Sequence, residues 1–188
     1  MWYNNIVSGN LTHHLPAAHM KARGFIVKPQ KNENSTAVSA QLILPHQANP
    51  AGNVHGGEII KLMDSTAGIA AQRHCRTNVV TARVDELCFK KPVRIGDYVT
   101  CTAKVVFAGV SSMEVFVTVE SENLYTGQTQ IALTAFFTMV SLDENDRPAP
   151  VPPVECGDDE YSKLLYAAGK NRYEKSKRRR KSAGSEED

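Results

Sequence analysis

The chain has 188 residues, of which 41% are hydrophobic and 22% charged, and its formal net charge is +2. These values exclude a globally disordered chain, a collagen-like chain and a disulfide scaffold, because one domain of this size can bury its own core. Eight basic and four acidic residues follow position 169, so the first 169 residues carry a net charge of −2. The positive charge therefore belongs to the C-terminal tail.

The cysteines and the longest uncharged segment argue against a metal-binding protein and a membrane-spanning protein. Cys75, Cys88, Cys101 and Cys156 are widely spaced and form no C-x-x-C pair. We therefore expect reduced thiols in a reducing compartment and no metal site. The uncharged run at residues 125–142 alternates like a strand, so we expect no membrane span, which needs about 20 continuous apolar residues.

Residues 1–35 show no clear hydrophobic period and contain no acidic residue before Glu33. An acid-poor, basic N-terminus is typical of mitochondrial transit peptides, but serine and arginine are scarce here and no basic residue lies near Met1. The apolar segment of a secretory signal is missing as well. We expect a flexible arm on a cytoplasmic protein, with mitochondrial import as the alternative.

Regular elements begin after this arm. Alternation over residues 36–44 predicts a strand, which Pro45 ends. Gly56 then opens a helix to about His74, and its apolar residues cover most of the circumference, as in a buried helix. Four more alternating segments with short connections predict four further strands, the last of which ends at Leu142.

One antiparallel sheet wrapped around one long helix is the economical packing for this order of elements, which makes the fold class α+β. A Pro-rich stretch then leads to a C-terminal helix that begins with acidic residues. We predict four regions: a flexible arm at 1–35, the folded domain at 36–142, a Pro-rich linker at 143–157, and a helix with a basic and then acidic tail at 158–188.

Polar and small residues concentrate at the start of the long helix. Asn53 lies just outside the helix, and the free backbone N–H groups at the Gly56-Gly57 start of the helix can hold a developing oxyanion. Asp64 lies on a stripe of apolar and small residues, where a carboxylate is unfavourable unless it pairs with another group or has a functional role. Two plainer interpretations stay open: Asp64 pairs with Lys61, and Asn53 is a turn or capping residue.

The spacing limits how these residues act together. Asn53 and Asp64 are 11 residues apart, which is roughly 15 Å along a helix axis. They cannot serve one reacting centre within one subunit, but a two-fold dimer with antiparallel helices would pair Asp64 with Asn53 of the partner subunit. Either the pair is no site, or the protein is an oligomer. We expect the nearby His55 and His74 to be structural.

The sequence resembles the hotdog-fold acyl-CoA thioesterases over residues 36–181, and most of all their cytosolic long-chain acyl-CoA hydrolase group. The resemblance is carried by AGNVHGG at residues 51–57, KLMD at 61–64, AGIAA at 67–71, RHC at 73–75, VTA at 80–82, IGD at 95–97 and SMEV at 112–115. Residues 1–35 show no counterpart. The resemblance implies a five- or six-stranded antiparallel sheet wrapped round a long helix, and cleavage of acyl-CoA to fatty acid and CoA.

It also implies roles for individual residues. Asp64 would act as general base on a water, or else as a nucleophile through an anhydride. Asn53 of the partner subunit would position the water, and the Gly57 N–H would polarise the thioester carbonyl. A homodimer would hold two such composite sites and commonly assemble into a trimer of dimers. The segments expected to contact CoA are Val79, Val80 and Thr81, and Ala108, Gly109 and Val110. No separate cofactor is implied, because CoA is part of the substrate.

Other functions stay open. A non-catalytic acyl-CoA sensor is the main alternative, although Asn53 and Asp64 together argue against it, and the Asp/His pair of related hydratases is not seen. The run at residues 175–181 has six basic residues in seven, which suits CoA phosphates, nucleic acid, anionic lipid or nuclear import machinery. Its plainer interpretation is a solvated helix end, and we do not expect nucleic-acid binding. Arg83, Lys90 and Lys91 are further candidates for contacts with CoA phosphates.

Overall fold

The computed structural model describes residues 21–22, 25–26 and 29–183. Two α-helices are present in these ranges, α1 (Gly56–Cys75) and α2 (Glu160–Ala183), together with short 3-10 turns at Asn32–Ser35 and Pro45–Gln47. The strands are β1 (Lys21–Ala22), β2 (Phe25–Ile26), β3 (Gln30–Lys31), β4 (Thr36–Leu42), β5 (Asn78–Phe89), β6 (Asp97–Ala108), β7 (Ser112–Asn123), β8 (Gln128–Leu142) and β9 (Val154–Glu155).

Five of the strands form one antiparallel sheet in the order β4-β6-β7-β8-β5. Helix α1 packs on one face of this sheet and α2 packs on the other face. The predicted α+β architecture, with an antiparallel sheet around a long helix and a further C-terminal helix, is confirmed. Strands β4 and β5 are the two edges of the sheet.

The core lies between α1 and the inner face of the sheet. Alternate residues of β6 and β7 point inward, as period-2 strands require, and Val105 and Val117 are fully buried there. They meet the buried face of α1, which includes Ile59 and Met63. A run of small residues after Met63 lets the helix lie close to the strands, because little side-chain volume separates the two backbones.

Helix α1 is buried on one side only, whereas its sequence predicts burial over most of its circumference. Lys61, Asp64, Ser65 and Ile69 are exposed, and Ile69 retains 42% of its accessible surface. The reason is geometric: one sheet covers one side of a helix, and the described part of this single chain places nothing on the other side. An apolar and small-residue stripe therefore remains open around Asp64.

Helix α2 covers part of the outer sheet face. Leu165 packs on Val106 and Phe136, and the ring of Phe107 lies 5.4 Å from the rings of both Tyr166 and Tyr173. Strict alternation would turn Phe107 toward α1, but a register shift between Val105 and Phe107 sends it to the α2 side, as β-bulges do.

A carboxyl group is buried beneath α2. Glu114 of β7 is 1% exposed, and its Oε1 accepts a hydrogen bond from the Thr138 hydroxyl at 3.1 Å. Its Oε2 is buried and has no hydrogen-bond partner among the described residues. Burial raises the pKa of Glu114 to about 7, against the opposing influence of the Thr138 hydrogen bond and of Arg83 and Arg172.

The segment predicted as a flexible arm contains short strands. β1 pairs with β2, and β3 runs parallel to β9 inside the Pro-rich segment. Most of residues 1–28, on which the alternative of mitochondrial import depends, lie outside the described residues. β4 begins at Thr36 and β8 ends at Leu142, next to the predicted domain boundaries. Neither described helix is long and apolar enough to cross a membrane.

Candidate active site

A tight loop precedes α1 and is held by its own backbone. The Asn49 N–H donates to the Asn53 carbonyl at 2.7 Å, and the Val54 N–H donates to the Val93 carbonyl at 2.8 Å. Gly52 lies in this loop with φ +80°, a backbone conformation that glycine adopts at little cost. The loop therefore presents Asn49 and Asn53 in fixed positions beside the helix start.

The two asparagines of this loop play different parts. The Asn49 side-chain oxygen accepts the N–H groups of Ala51 at 2.9 Å and of Asn53 at 3.3 Å, so Asn49 is the turn-forming residue. The half-buried Asn53 bridges to Arg94 through its backbone. Within the described residues its carboxamide makes no hydrogen bond, which leaves both amide atoms for a ligand or water.

The start of α1 is capped by a histidine rather than by Asn53. The Nδ1 atom of His55 accepts the Gly57 N–H at 3.2 Å. At the other end of α1, the buried His74 accepts from the Ser35 hydroxyl through Nδ1 and donates to the Pro152 carbonyl through Nε2, each at 2.7 Å. Burial lowers the pKa of His74, against the raising influence of the Pro152 hydrogen bond. Both histidines therefore make contacts within the fold, which fits the structural roles predicted for them.

Asp64 lies on the exposed stripe of α1 and is held by β5. The Thr81 hydroxyl donates to Asp64 Oδ1 at 2.5 Å, and the same hydroxyl lies 3.4 Å from Met139 Sδ. Asp64 makes no ion pair with Lys61 in the part of the chain that the structure describes. Sequence spacing gives no signal for the Thr81 contact, because the two residues are 17 positions apart on different elements.

The structure separates the two halves of the predicted site. A cavity of about 360 Å³ is lined by Asn49, Asn53 and Gly56 together with Lys90 and Lys91. Asp64 does not line it. Asp64 follows Gly56 by eight positions along the helix, which is about 12 Å along the axis.

The segments predicted to contact CoA lie at one end of the sheet. In register, Val80 pairs with Val140 of β8, and Val140 pairs with Ser112 at the start of β7. The turn that contains Gly109 and Val110 joins β6 to β7 at this end. Thr81 differs from its neighbours, because its hydroxyl is engaged by Asp64.

The buried thiol of Cys101 and the metal-ligating groups of the described residues offer no alternative centre. All four cysteines are free, and burial raises the pKa of Cys101 to about 11, against the influence of the Thr66 hydrogen bond. A thiol with so high a pKa is a poor nucleophile. Within the described ranges, no three His, Cys, Asp or Glu side chains lie close enough together to hold a metal ion.

Sequence comparison places the chain among known hydrolases. The thioesterase superfamily profile matches residues 51–128. The "uncharacterized acyl-CoA thioester hydrolase YkhA" of Bacillus subtilis is 38% identical over 150 residues, which is 80% of this chain and 87% of that protein. The cytosolic acyl coenzyme A thioester hydrolase of Mus musculus is 39% identical over 165 residues, 84% of this chain, which spans 43% of that longer protein.

Solved structures agree with this placement. A hexameric acyl-CoA thioesterase superposes with a TM-score of 0.77 at 36% identity, over 81% of this chain and 97% of that one. An acyl-CoA hydrolase of Staphylococcus aureus, solved with butyryl-CoA and CoA, gives 0.75 at 31% identity over 83% and 94%. That hydrolase was also solved with an aspartate, an asparagine or a threonine replaced by alanine. The chain belongs to the thioesterase superfamily, among its hotdog-fold acyl-CoA thioester hydrolases.

Proposed function

We propose that two copies of this chain hydrolyse acyl-CoA to a free fatty acid and CoA at two composite sites. The observation that best supports this proposal is the hydrogen bond from Thr81 to Asp64, which fixes a carboxylate on the open stripe of α1. Gly57 lies about two helical turns from Asp64, and Asn53 lies further away, just before the helix start. A second copy with its α1 antiparallel supplies them to Asp64, which is why one chain alone holds half of each site.

In this mechanism Asp64 acts as general base. Its Oδ1 is held by Thr81, which leaves Oδ2 to take a proton from water. The hydroxide adds to the thioester carbonyl, and the oxyanion forms at the Gly57 N–H of the partner subunit. Collapse of this intermediate breaks the carbon–sulfur bond, and the CoA thiolate leaves and takes up a proton. Attack by Asp64 itself, through an anhydride, is the second route.

The His55 cap bears on the oxyanion contact. In the free chain the Gly57 N–H is bonded to His55 Nδ1. The carbonyl of the bound thioester must share or replace that acceptor. The bond is long, at 3.2 Å. Redirecting the Gly57 N–H from His55 to the substrate costs little, because the N–H keeps an acceptor and water can hydrogen-bond to His55.

The edge strand β5 is the proposed dimer contact. It is 12 residues long and has a paired neighbour on one side only, β8. Exposed Val84 and Phe89 lie on it, and an open strand edge of this length is a template for pairing with another chain. Antiparallel pairing of two β5 strands would extend the sheet to ten strands and bring two α1 helices together. Three such dimers would form a hexamer, the state named for one similar thioesterase.

Asn49 is a second candidate for the partner's asparagine. In the Staphylococcus aureus hydrolase the substituted threonine follows the substituted aspartate by 17 residues, and the substituted asparagine precedes it by 15. Asp64 and Thr81 here have the same spacing of 17, and Asn49 precedes Asp64 by 15. Asn53 remains the prediction from the sequence, and the two are told apart by substitution.

The test is turnover of acyl-CoA from short to long chains by the full protein and by variants. We expect Asp64→Asn to lose at least about 100-fold in kcat, while Glu58→Gln, which changes another α1 carboxylate, keeps it. Asn49→Ala and Asn53→Ala are compared in the same assay. A wild type that binds acyl-CoA without hydrolysing any chain length would support the alternative of a regulatory sensor.

Two finer assignments belong to the same proposal. Lys90 and Lys91 line the cavity beside Asn53, which supports their contact with CoA phosphates. The name of the similar mouse protein, a cytosolic hydrolase, supports a cytoplasmic location. Fluorescent tagging at the C-terminus, with and without residues 1–28, would separate that location from mitochondrial import.

A further inference from the structure

A second cavity, of about 380 Å³, lies between β5 and α2. We call it the α2–β5 cleft. Its volume is within the range of about 300–1,000 Å³ that is usual for small-molecule sites. Four cations, two carboxylates and a carboxamide line it: Arg83, Arg172, Lys175, Arg179, Asp85, Glu86 and Asn171.

Two of the cations form a fixed wall. The guanidinium carbon of Arg172 lies 3.9 Å from the centroid of the Phe136 ring, and Arg172 pairs with Glu86. Arg83 Nε lies 2.6 Å from Asp85 Oδ2, and Arg83 Nη1 donates to the Ser176 hydroxyl at 3.1 Å. Both carboxylates of the cleft are therefore matched by these two arginines.

The other two cations of the cleft have no ion-pair partner among the described residues. Lys175 and Arg179 are exposed, and neither forms an ion pair within residues 29–183. They lie on the same helix stripe as Arg172, at positions i+3 and i+7, so all three side chains project toward β5. Counted together, four cations and two carboxylates leave the cleft with a net charge of +2.

The cleft is on the far side of the sheet from Asp64. Thr81 faces α1, where it bonds Asp64, and the register then shifts between Thr81 and Arg83. After this shift Arg83 pairs with Thr138, whose hydroxyl contacts the buried Glu114 under α2. The β-bulge therefore sends neighbouring residues of β5 to two separate sites on opposite faces.

We propose that the α2–β5 cleft binds the phosphate of a phosphorylated small molecule. A phosphate monoester carries a charge of about −1.5 to −2 at neutral pH, which balances the net positive charge of the cleft. Guanidinium and ammonium groups are the side chains that bind phosphate most strongly, and the Asn171 carboxamide adds a neutral donor. The ligand is either the nucleotide end of CoA, which rests on the proposed function, or a separate phosphorylated molecule.

The direct test is calorimetry with inorganic pyrophosphate on the full chain, which requires no hydrolysis. We expect Lys175→Ala/Arg179→Ala to weaken binding at least about tenfold. The matched control is Lys170→Ala/Lys177→Ala, which removes two charges from the same helix at about 140° to 160° round its axis from Arg172, and should change binding less than about twofold. Equal losses in both variants, or no saturable binding by the wild type, would overturn the proposal.

A second arm identifies the source of the phosphate. If it is CoA, Lys175→Ala/Arg179→Ala raises KM for acyl-CoA about tenfold at constant kcat, and an acyl-pantetheine thioester, which has no phosphate, shows no such change. If it is a separate molecule, KM stays constant and pyrophosphate still binds in saturating CoA. Either result supports the site. Loss of kcat without any effect on pyrophosphate affinity would count against it.

Discussion

The Thr81 hydroxyl and the Asp64 carboxylate meet at 2.5 Å, across the gap between an edge strand and the exposed side of α1. A short contact from a hydroxyl to a carboxylate is a strong, charge-assisted hydrogen bond. This hydrogen bond engages Oδ1 of Asp64 and leaves Oδ2 accessible on the open stripe of the helix. The orientation of the proposed general base is therefore set by a residue on the next element of the chain.

Removal of the Thr81 donor should slow the chemical step. We expect Thr81→Val, which has a similar shape, to lower kcat by about 10- to 100-fold, because Asp64 loses its fixed orientation. Thr81→Ser keeps a hydroxyl and should retain most of kcat. The measurement is steady-state turnover at saturating acyl-CoA. An unchanged kcat in Thr81→Val would mean that this hydrogen bond does not orient the base.

Glu114 should make stability depend on pH in a direction unusual for a carboxylate. Because its pKa rises from 4.5 to about 7, the folded state holds the proton more tightly than the unfolded chain. The stability present below pH 4.5 is therefore lost as the pH rises toward 7. We expect Glu114→Gln to match the wild type near pH 5 and to exceed it by up to about 3 kcal/mol above pH 7.

Urea unfolding at pH 5 and pH 8, at one protein concentration, checks this. Concentration must be held constant because an oligomer's apparent stability depends on it. Glu120→Gln on the same strand is the matched control, since Glu120 is exposed. A Glu114→Gln variant that is less stable than the wild type at pH 8 would show that Arg83 and Arg172 outweigh the burial of the charge.

His74 should have the opposite pH dependence. Burial lowers its pKa below the ordinary 6.5, so the folded state binds the proton more weakly and stability is lost as the pH falls below about 6.5. His74→Leu also leaves the partly buried Pro152 carbonyl without its donor, which costs about 1–3 kcal/mol at pH 8. The deficit against wild type should shrink at pH 5.5 in urea melts. A deficit of the same size at both values would exclude this titration.

Gly169 should resist replacement although it lies within a helix. A Cβ at this position would lie 2.8 Å from the Cβ of Phe107 and 3.1 Å from Val106 Cγ2. Alanine gains up to about 1 kcal/mol in helix propensity, but forcing α2 off the sheet costs about 1–3 kcal/mol. We expect Gly169→Ala to lower the melting temperature, whereas Lys170→Ala at the neighbouring exposed position should leave it almost unchanged. A higher melting temperature for Gly169→Ala would contradict this close approach.

The elements with a long hydrophobic period could be predicted from the sequence, and the contacts between elements could not. Alternation in the strands and the apolar stripe of α1 predicted the sheet and the helix on it. The two-residue strands β3 and β9 are too short to show a period, and the bulge before Phe107 breaks the alternation on which the prediction rests. The separation of Asn53 from Asp64 was predictable because helical rise is constant. The Thr81 contact depends on how a strand crosses the helix, which spacing does not encode.

Mixing two inactive variants shows whether each site is built from two subunits. Asp64→Ala subunits are unfolded, mixed in equal amounts with Asn53→Ala subunits (or Asn49→Ala, whichever is inactive), and refolded together. Half of the random dimers then carry both variants, and each of these has one intact site, so about a quarter of wild-type activity should return. If the mixture stays as inactive as either variant alone, Asp64 and the asparagine do not act together across two subunits, and the site is not composite.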